Sequence, residues 1–539
     1  MAPFLRRLEA AGVGLFGGVT VAWLVGDGNY VALGAAALFA LLVFLFTRAL
    51  TPVCARHDVY LLVFLALTLR YAVAITVHDG SLAVGKGGFI TGDDANYADF
   101  SWTLAQIFRG ETVTFDYEGY LYLLGTFVYL ETAIFALVGP NVVVVELLNA
   151  AIGAGFVALV CDLCRRLFDD ERASLIGGAV VAFYPSLVLW TSLNLKDSLA
   201  LFLIGAILWL ILIFTRKPVV WVVLAMYVPL FLMESLRFYI FLGLAIVIPV
   251  GVFLASDHRS RMHRVVTSAI AVALSVLLLL TQGAGSDALS ASLLLRLESE
   301  RAAMAVGART GFGHAVVLID KGATYVIPIP SANPTPPGQT PRVVVVQPGS
   351  RIVVGSAIPG RDAIPLSPGD VLIVAASGAP TGAPQARPLP ITASSGEVQV
   401  VEAEDALVVR TLEYLPFGLA FALFAPFPGS GTRAQDLLPI PEMLLWYVLM
   451  VAACIALWRW RLRWRLLAPL VLFIGGTVVI LALAEGNVGT LYRHRAMIMP
   501  FVAVLAAPTI VSLARLWGRL PAPGRRSAID ARFPRSPAH

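Results

Sequence analysis

Long apolar runs, each about the length of one membrane crossing and separated by short polar turns, dominate the chain. A helix needs about 20 apolar residues to cross the hydrocarbon core. Runs of that kind lie at 11–26, 30–47, 59–77, 141–162, 173–191, 198–215, 218–234, 238–256, 265–282, 440–458, 466–484 and 496–514. The pattern predicts an all-α polytopic membrane protein of about twelve transmembrane helices, with both termini on one side. The first run follows Arg6 and Arg7 and leads directly into a second, so it is expected to be a retained span rather than a cleaved signal. A further apolar stretch, 117–139, carries Glu118 and Glu131 and is rich in Tyr; it is expected to lie at the interface.

Two regions break the pattern. Between 283 and 410, a helical linker is followed by short β-branched runs such as "RVVVVQPGS" and "DVLIVAAS", punctuated by Pro and Gly. These predict a small β-rich insert. The stretch 415–429 is apolar but interrupted by Pro416, Pro426 and Pro428, as expected of a re-entrant or interfacial element. The expected organisation is two N-terminal helices in 1–58 and a core in 59–282 that includes a loop at 78–118. The insert at 283–410, the re-entrant and final helices at 411–514 and a basic tail at 515–539 follow.

Composition agrees with this reading: 58% of the 539 residues are hydrophobic and 14% charged, and the mean hydropathy is +0.82. Soluble chains carry about 25% charged residues. The net charge of +5 is no sign of nucleic acid, because the basic residues sit in short loops between apolar runs. With the N-terminus inside and 117–139 not crossing, 22 Arg and Lys residues fall on the cytoplasmic side and six in the short outer loops. That asymmetry obeys the positive-inside rule and places the insert outside the cell. Cys161 and Cys164 form a C-x-x-C at a helix end without His or a second pair, which suits packing rather than metal binding.

On this topology the candidate chemistry gathers outside. The loop 78–118 holds seven acidic residues, including "TGDDANYADF" with Asp93, Asp94, Tyr97 and Asp99, and ends at Glu118. Two adjacent carboxylates repel unless water, a proton or a cation intervenes. They also open a helical stretch, whose N-terminus favours negative charge. Capping would account for one aspartate of the pair. Cationic positions face them: Lys196–Asp197 in "YPSLVLWTSLNLKDSL", Arg237 in "ESLRFY", and Arg493, His494 and Arg495 in "EGNVGTLYRHRAMIMP". The planar fork of Arg suits phosphate. Cations that hold an anionic lipid head group, with a carboxylate to deprotonate a hydroxyl, make a plausible transferase site. There is no G-x-x-x-x-G-K-[ST], no dinucleotide fingerprint and no H-E-x-x-H, so an energised donor on this face is expected to be lipid-linked.

The order of "GDDANYADF…LAQIFRG", "IFALVGPN", "CDLCRRLF" and "AFYPSLVLWTSLNLKDSL" resembles the GT-C superfamily of membrane glycosyltransferases, nearest the protein mannosyltransferases and the aminoarabinose transferase. The likeness covers about 59–260 and, more loosely, 411–513; it leaves out the insert and the first two spans. It departs in having Lys–Asp where many members have Glu after the Tyr-Pro span. The resemblance implies a polyprenyl-phosphate-linked sugar as donor, a lipid, glycan or protein acceptor, and inversion at the outer face of the inner (plasma) membrane. It further implies Asp93 or Asp94 as the catalytic carboxylate and Glu118 as a second. Lys196, Arg237, Arg493 and Arg495 would hold phosphate, with Tyr97, Asp197 and His494 as further substrate contacts. Some relatives use a divalent cation, for which Asp93 and Asp94 are the candidate ligands. A polysaccharide polymerase or ligase is the alternative enzyme, and a lipid-linked glycan transporter the alternative outside enzymes.

Overall fold

The computed structural model describes residues 2–53, 56–113, 124–255, 261–281, 415–425, 440–484 and 488–516, with short extended segments inside 319–402. The body is helical. Its elements are α1 (Ala2–Gly26), α2 (Tyr30–Leu50), α3 (Arg56–Ala83), α4 (Gly92–Phe108), α5 (Thr126–Val138) and α6 (Val142–Phe168). They continue with α7 (Glu171–Phe183), α8 (Pro185–Trp190), α9 (Asp197–Arg216), α10 (Val220–Leu236), α11 (Phe238–Ala255) and α12 (Arg261–Thr281). After the insert come α13 (Leu415–Phe424), α14 (Ile440–Arg459), α15 (Trp464–Ala484), α16 (Val488–Arg495) and α17 (Met499–Leu516).

Among the described residues, nine helices are long and apolar enough to cross a membrane: α1, α2, α3, α6, α9, α12, α14, α15 and α17. The protein is therefore a multi-pass membrane protein. The other three expected spans are not among them: α10 and α11 meet at the Arg237 turn, with apolar stretches of only Val220–Leu236 and Phe238–Leu254, and the run 173–191 is divided into α7 and α8. At 13 residues, α5 rises about 20 Å, short of the roughly 30 Å hydrocarbon core. Most of the expected β-rich insert lies outside the described residues; of its short segments, Tyr325–Pro328 pairs antiparallel with Val343–Val346. No strand lies in the described helical body.

The core centres on α6, which packs against α2, α3, α7, α9 and α17. It is buried on every side and largely apolar, as a helix enclosed by others must be, with Glu146, Asn149 and Asp162 as its enclosed polar residues. Small residues let neighbours approach closely. A Cβ on Gly178 of α7 would lie 2.3 Å from the Cys161 sulfur, and one on Gly177 2.6 Å from that of Cys164. Both thiols are free and buried, so the C-x-x-C packs α6 against α7.

The break between α7 and α8 has a local cause. Pro185 has no N–H to give the Val181 carbonyl, and the Ser186 N–H donates to Glu442 Oε2 at 3.0 Å. The freed carbonyls of Val181 and Ala182 accept instead from the buried Arg70 guanidinium at 3.2 and 3.0 Å. Arg70 Nε also donates to Thr191 at 2.9 Å. Arg70, the one Lys or Arg inside the twelve apolar runs, thus serves backbone groups that a proline has orphaned.

Candidate functional site

The N-terminus of α4 divides the work of its two aspartates. Thr91 is the N-cap and Asp94 the third residue of a reciprocal capping box. The buried Asp94 carboxylate accepts from the backbone of Ile90, Thr91 and Ala95 and from the Thr91 hydroxyl, at 3.0 to 3.1 Å. Asp93, one residue earlier, points outward with 56% of its side chain exposed. Its Oδ2 accepts from Arg493 Nη1 at 2.9 Å.

Arg493 joins distant parts of the chain. Its Nε and Nη2 donate to Asp197 Oδ2 at 2.8 and 2.5 Å. Asp197, whose side chain is 1% exposed, also accepts from Arg237 Nη2 at 2.6 Å. Arg237 Nη1 donates to His494 Nε2 at 2.5 Å, which places the ring proton on Nδ1 because a guanidinium can only donate. Two arginines therefore converge on one buried carboxylate, with the exposed Asp93 at the rim. Burial opposes the charge of each guanidinium, but Tyr239 and then Asp197 outweigh it at Arg237 and Asp197 outweighs it at Arg493, and the pKa of both is raised.

Lys196 adjoins the cluster, its ammonium 5.9 Å from the Tyr97 ring centroid. Burial first, then the Arg237 charge, lowers its pKa to about 7. Tyr97 is buried, which pushes its phenol well above the usual range. Among the described residues, two buried N–H groups here have no acceptor: Nε of Arg237 and the indole of Trp190. The Trp190 ring lies 5.6 Å from the Arg493 guanidinium. Buried donors without acceptors are rare; beside two arginines, they suit the oxygens of an anion.

Three polar side chains hold the walls. Asn194 donates to the Asp94 carbonyl at 3.1 Å and to Glu131 Oε1 at 2.7 Å. Glu131, fully buried on α5, accepts from Ser101 at 2.9 Å; burial raises its pKa to about 8. Asn149 of α6 donates to the carbonyls of Leu193 and Leu195 at 2.7 and 3.0 Å. The loop that presents Lys196 and Asp197 is thus fixed to α4, α5 and α6.

The structure brings together Asp93, Tyr97, Lys196, Asp197, Arg237, Arg493 and His494. It separates Arg495, which turns away to the carbonyl of Ala422 at 3.0 Å and to that of Ala425, fastening α13. Glu118 lies outside the described residues. No group of three or more His, Cys, Asp or Glu side chains among the described residues is placed to hold a metal ion, and Asp94 is occupied by the cap. Trp190, Glu131 and Asn194 were not singled out from sequence. Trp190 stands six residues before Lys196, within a stretch already marked for its cations; Glu131 carries no local signal beyond being an acid in an apolar run.

No family model matches the chain, and no curated protein or solved structure is significantly similar to it.

Proposed function

We propose that the chain is a membrane glycosyltransferase that moves a sugar from a polyprenyl-phosphate donor to an acceptor hydroxyl, with Asp93 as base. The observation that carries this reading is Arg493, which bridges the exposed Asp93 and the buried Asp197 beside Arg237. It sets a cation pair for phosphate next to a carboxylate open to solvent.

In this mechanism the donor phosphate takes up Arg493 and the unpaired N–H groups of Arg237 and Trp190, and Asp93 is released. Asp93 accepts the acceptor's hydroxyl proton as that oxygen forms its bond to the anomeric carbon. The bond from carbon to phosphate oxygen breaks, and polyprenyl phosphate leaves with the electron pair, its charge held by Arg493 and Arg237. In this reading the chain crosses twelve times, with α5 at the interface and α7–α8 as one broken crossing, and the site faces the outer side of the inner membrane. The termini are then cytoplasmic and the β-rich insert lies outside, where it would contact the acceptor. The arginine distribution supports that sidedness.

Turnover and binding separate the roles in reconstituted membranes. Asp93→Asn should lower turnover about 10²–10⁴-fold while leaving polyprenyl-phosphate binding within a few-fold. Arg493→Ala removes a charge-assisted contact worth about 1.5–3 kcal/mol and should weaken that binding by about ten- to a hundredfold. Near-normal turnover in Asp93→Asn would remove the base from the mechanism. The buried pair His78–Glu146, 3.2 Å apart, favours a second reading, transport of a lipid-linked glycan, since ionisable pairs inside helical bundles mark transport paths. Glycan movement without bond transfer in proteoliposomes would select it.

A further inference from the structure

The opposite end of the bundle carries a second concentration of cations that the proposed reaction does not use. Along α6, Arg166 lies 17 residues beyond Asn149, which adjoins the Asp93 cluster, so the two sites are about 25 Å apart. A cavity of about 290 Å³ opens there between the C-terminal ends of α6 and α9 and the start of α15. Arg166, Arg216 and Arg463 line it against a single carboxylate, Asp169, and Leu212 and Leu466 form an apolar wall.

The charges of this cavity are only partly balanced. Asp162 accepts from both Arg165 and Arg166, one carboxylate for two cations. Arg216 and Arg463 form no ion pair among the described residues, and both are exposed. The Arg463 guanidinium lies 4.7 Å from the Trp460 ring centroid, and that of Arg166 5.5 Å from Trp209. These rings hold the forks near the cavity and mark the depth of a membrane interface, where Trp is enriched. Arginine forks match phosphate oxygens, and the leucine wall faces what hangs below the phosphate.

We propose that this cavity binds a phosphate group, presented by an anionic lipid of the adjacent leaflet. Basic pockets between helices recognise such head groups, each cation near the surface contributing about 1 kcal/mol. Removing two should therefore weaken binding by about 25-fold.

The test uses the delipidated full-length protein in detergent, with binding followed by native mass spectrometry. The probes are short-chain phosphatidylglycerol, phosphatidylcholine and inorganic phosphate. Phosphatidylglycerol should bind more tightly than phosphatidylcholine. The Arg216→Ala/Arg463→Ala variant should lose about 25-fold for it, while the control Arg48→Ala/Arg461→Ala, two exposed arginines outside the cavity, loses no more than about twofold. All four positions are exposed, and each variant gives up one arginine–tryptophan stack, at Trp460 or Trp458, so the two are matched in lost contacts. Equal loss in both variants, or equal affinity for the two lipids, would overturn the site. Binding of inorganic phosphate at the same two arginines without lipid binding would overturn the lipid as its source.

Discussion

Replacing Asp197 by Asn tests whether the buried carboxylate holds the cation cluster together. Asp197 accepts three hydrogen bonds from Arg237 and Arg493 at 2.5 to 2.8 Å. At about 4 Å between charge centres and an effective dielectric near 20, each ion pair has a gross attraction of about 4 kcal/mol. Desolvation of all three groups consumes much of the sum of the two. Losing the carboxylate nevertheless leaves two buried guanidiniums facing each other, and breaking a buried pair in this way costs about 3–5 kcal/mol. Asp93 offers little compensation, since an ion pair that exposed contributes about 0–1 kcal/mol. Asp197→Asn should therefore lose about 3–5 kcal/mol of unfolding free energy and Asp93→Asn less than about 1 kcal/mol. Equilibrium unfolding in mixed micelles, followed by tryptophan fluorescence, measures both. Adding Arg493→Met to Asp197→Asn should restore part of the loss by removing one of the uncompensated charges. An Asp197→Asn loss as small as that of Asp93→Asn would refute the reasoning, because the cluster would then be hydrated rather than buried.

Arg70→Met leaves the Val181 and Ala182 carbonyls without their donor; at about 1–3 kcal/mol for each orphaned group, the same unfolding assay should show a loss of about 2–6 kcal/mol. Gly178→Ala drives a methyl into the Cys161 sulfur and should cost about 1–3 kcal/mol; Cys161→Ala in the same chain should return part of it, and additive losses would rule out that contact. Glu131 retains its proton in the folded chain up to about pH 8, whereas the unfolded chain releases it at the ordinary carboxyl value. Between those values the folded state binds more protons, so this group's contribution to stability is complete below the unfolded pKa and is lost as pH rises to about 8. Glu131→Gln should flatten that part of the stability–pH curve, and an unchanged curve would exclude the group.

Much of the architecture was legible because apolar runs of span length can do little else than form membrane-sized helices. Their interruptions were harder to read. The run 173–191 reads as a single span with Pro185 near its end; Pro185 divides it, and the carbonyls so freed are satisfied by Arg70, more than a hundred residues away. At the candidate site, local patterning drew attention to the acids of 91–100 and to the cations of 196, 237 and 493–495, but it could not pair them. That pairing is long-range: Arg493 meets Asp197 and Asp93 across 296 and 400 residues. Capping was expected to account for one aspartate of the adjacent pair, and that residue is Asp94, boxed with Thr91. Arg495 illustrates the converse, since neighbours two apart on one short helix can face different tasks.

The enclosure of α6 has a mechanical meaning. With α2, α3, α7, α9 and α17 all against it, and with sulfur lodged at two glycines of α7, a sliding seam cannot run along this helix without prying apart close-packed faces. Large rigid-body rocking through the middle of the bundle is thereby resisted. Any such motion is left to less enclosed helices, such as α1 and α12, only 11% and 17% of whose spanning residues are enclosed. The centre acts as a chassis, and the less enclosed helices are mounted on its rim.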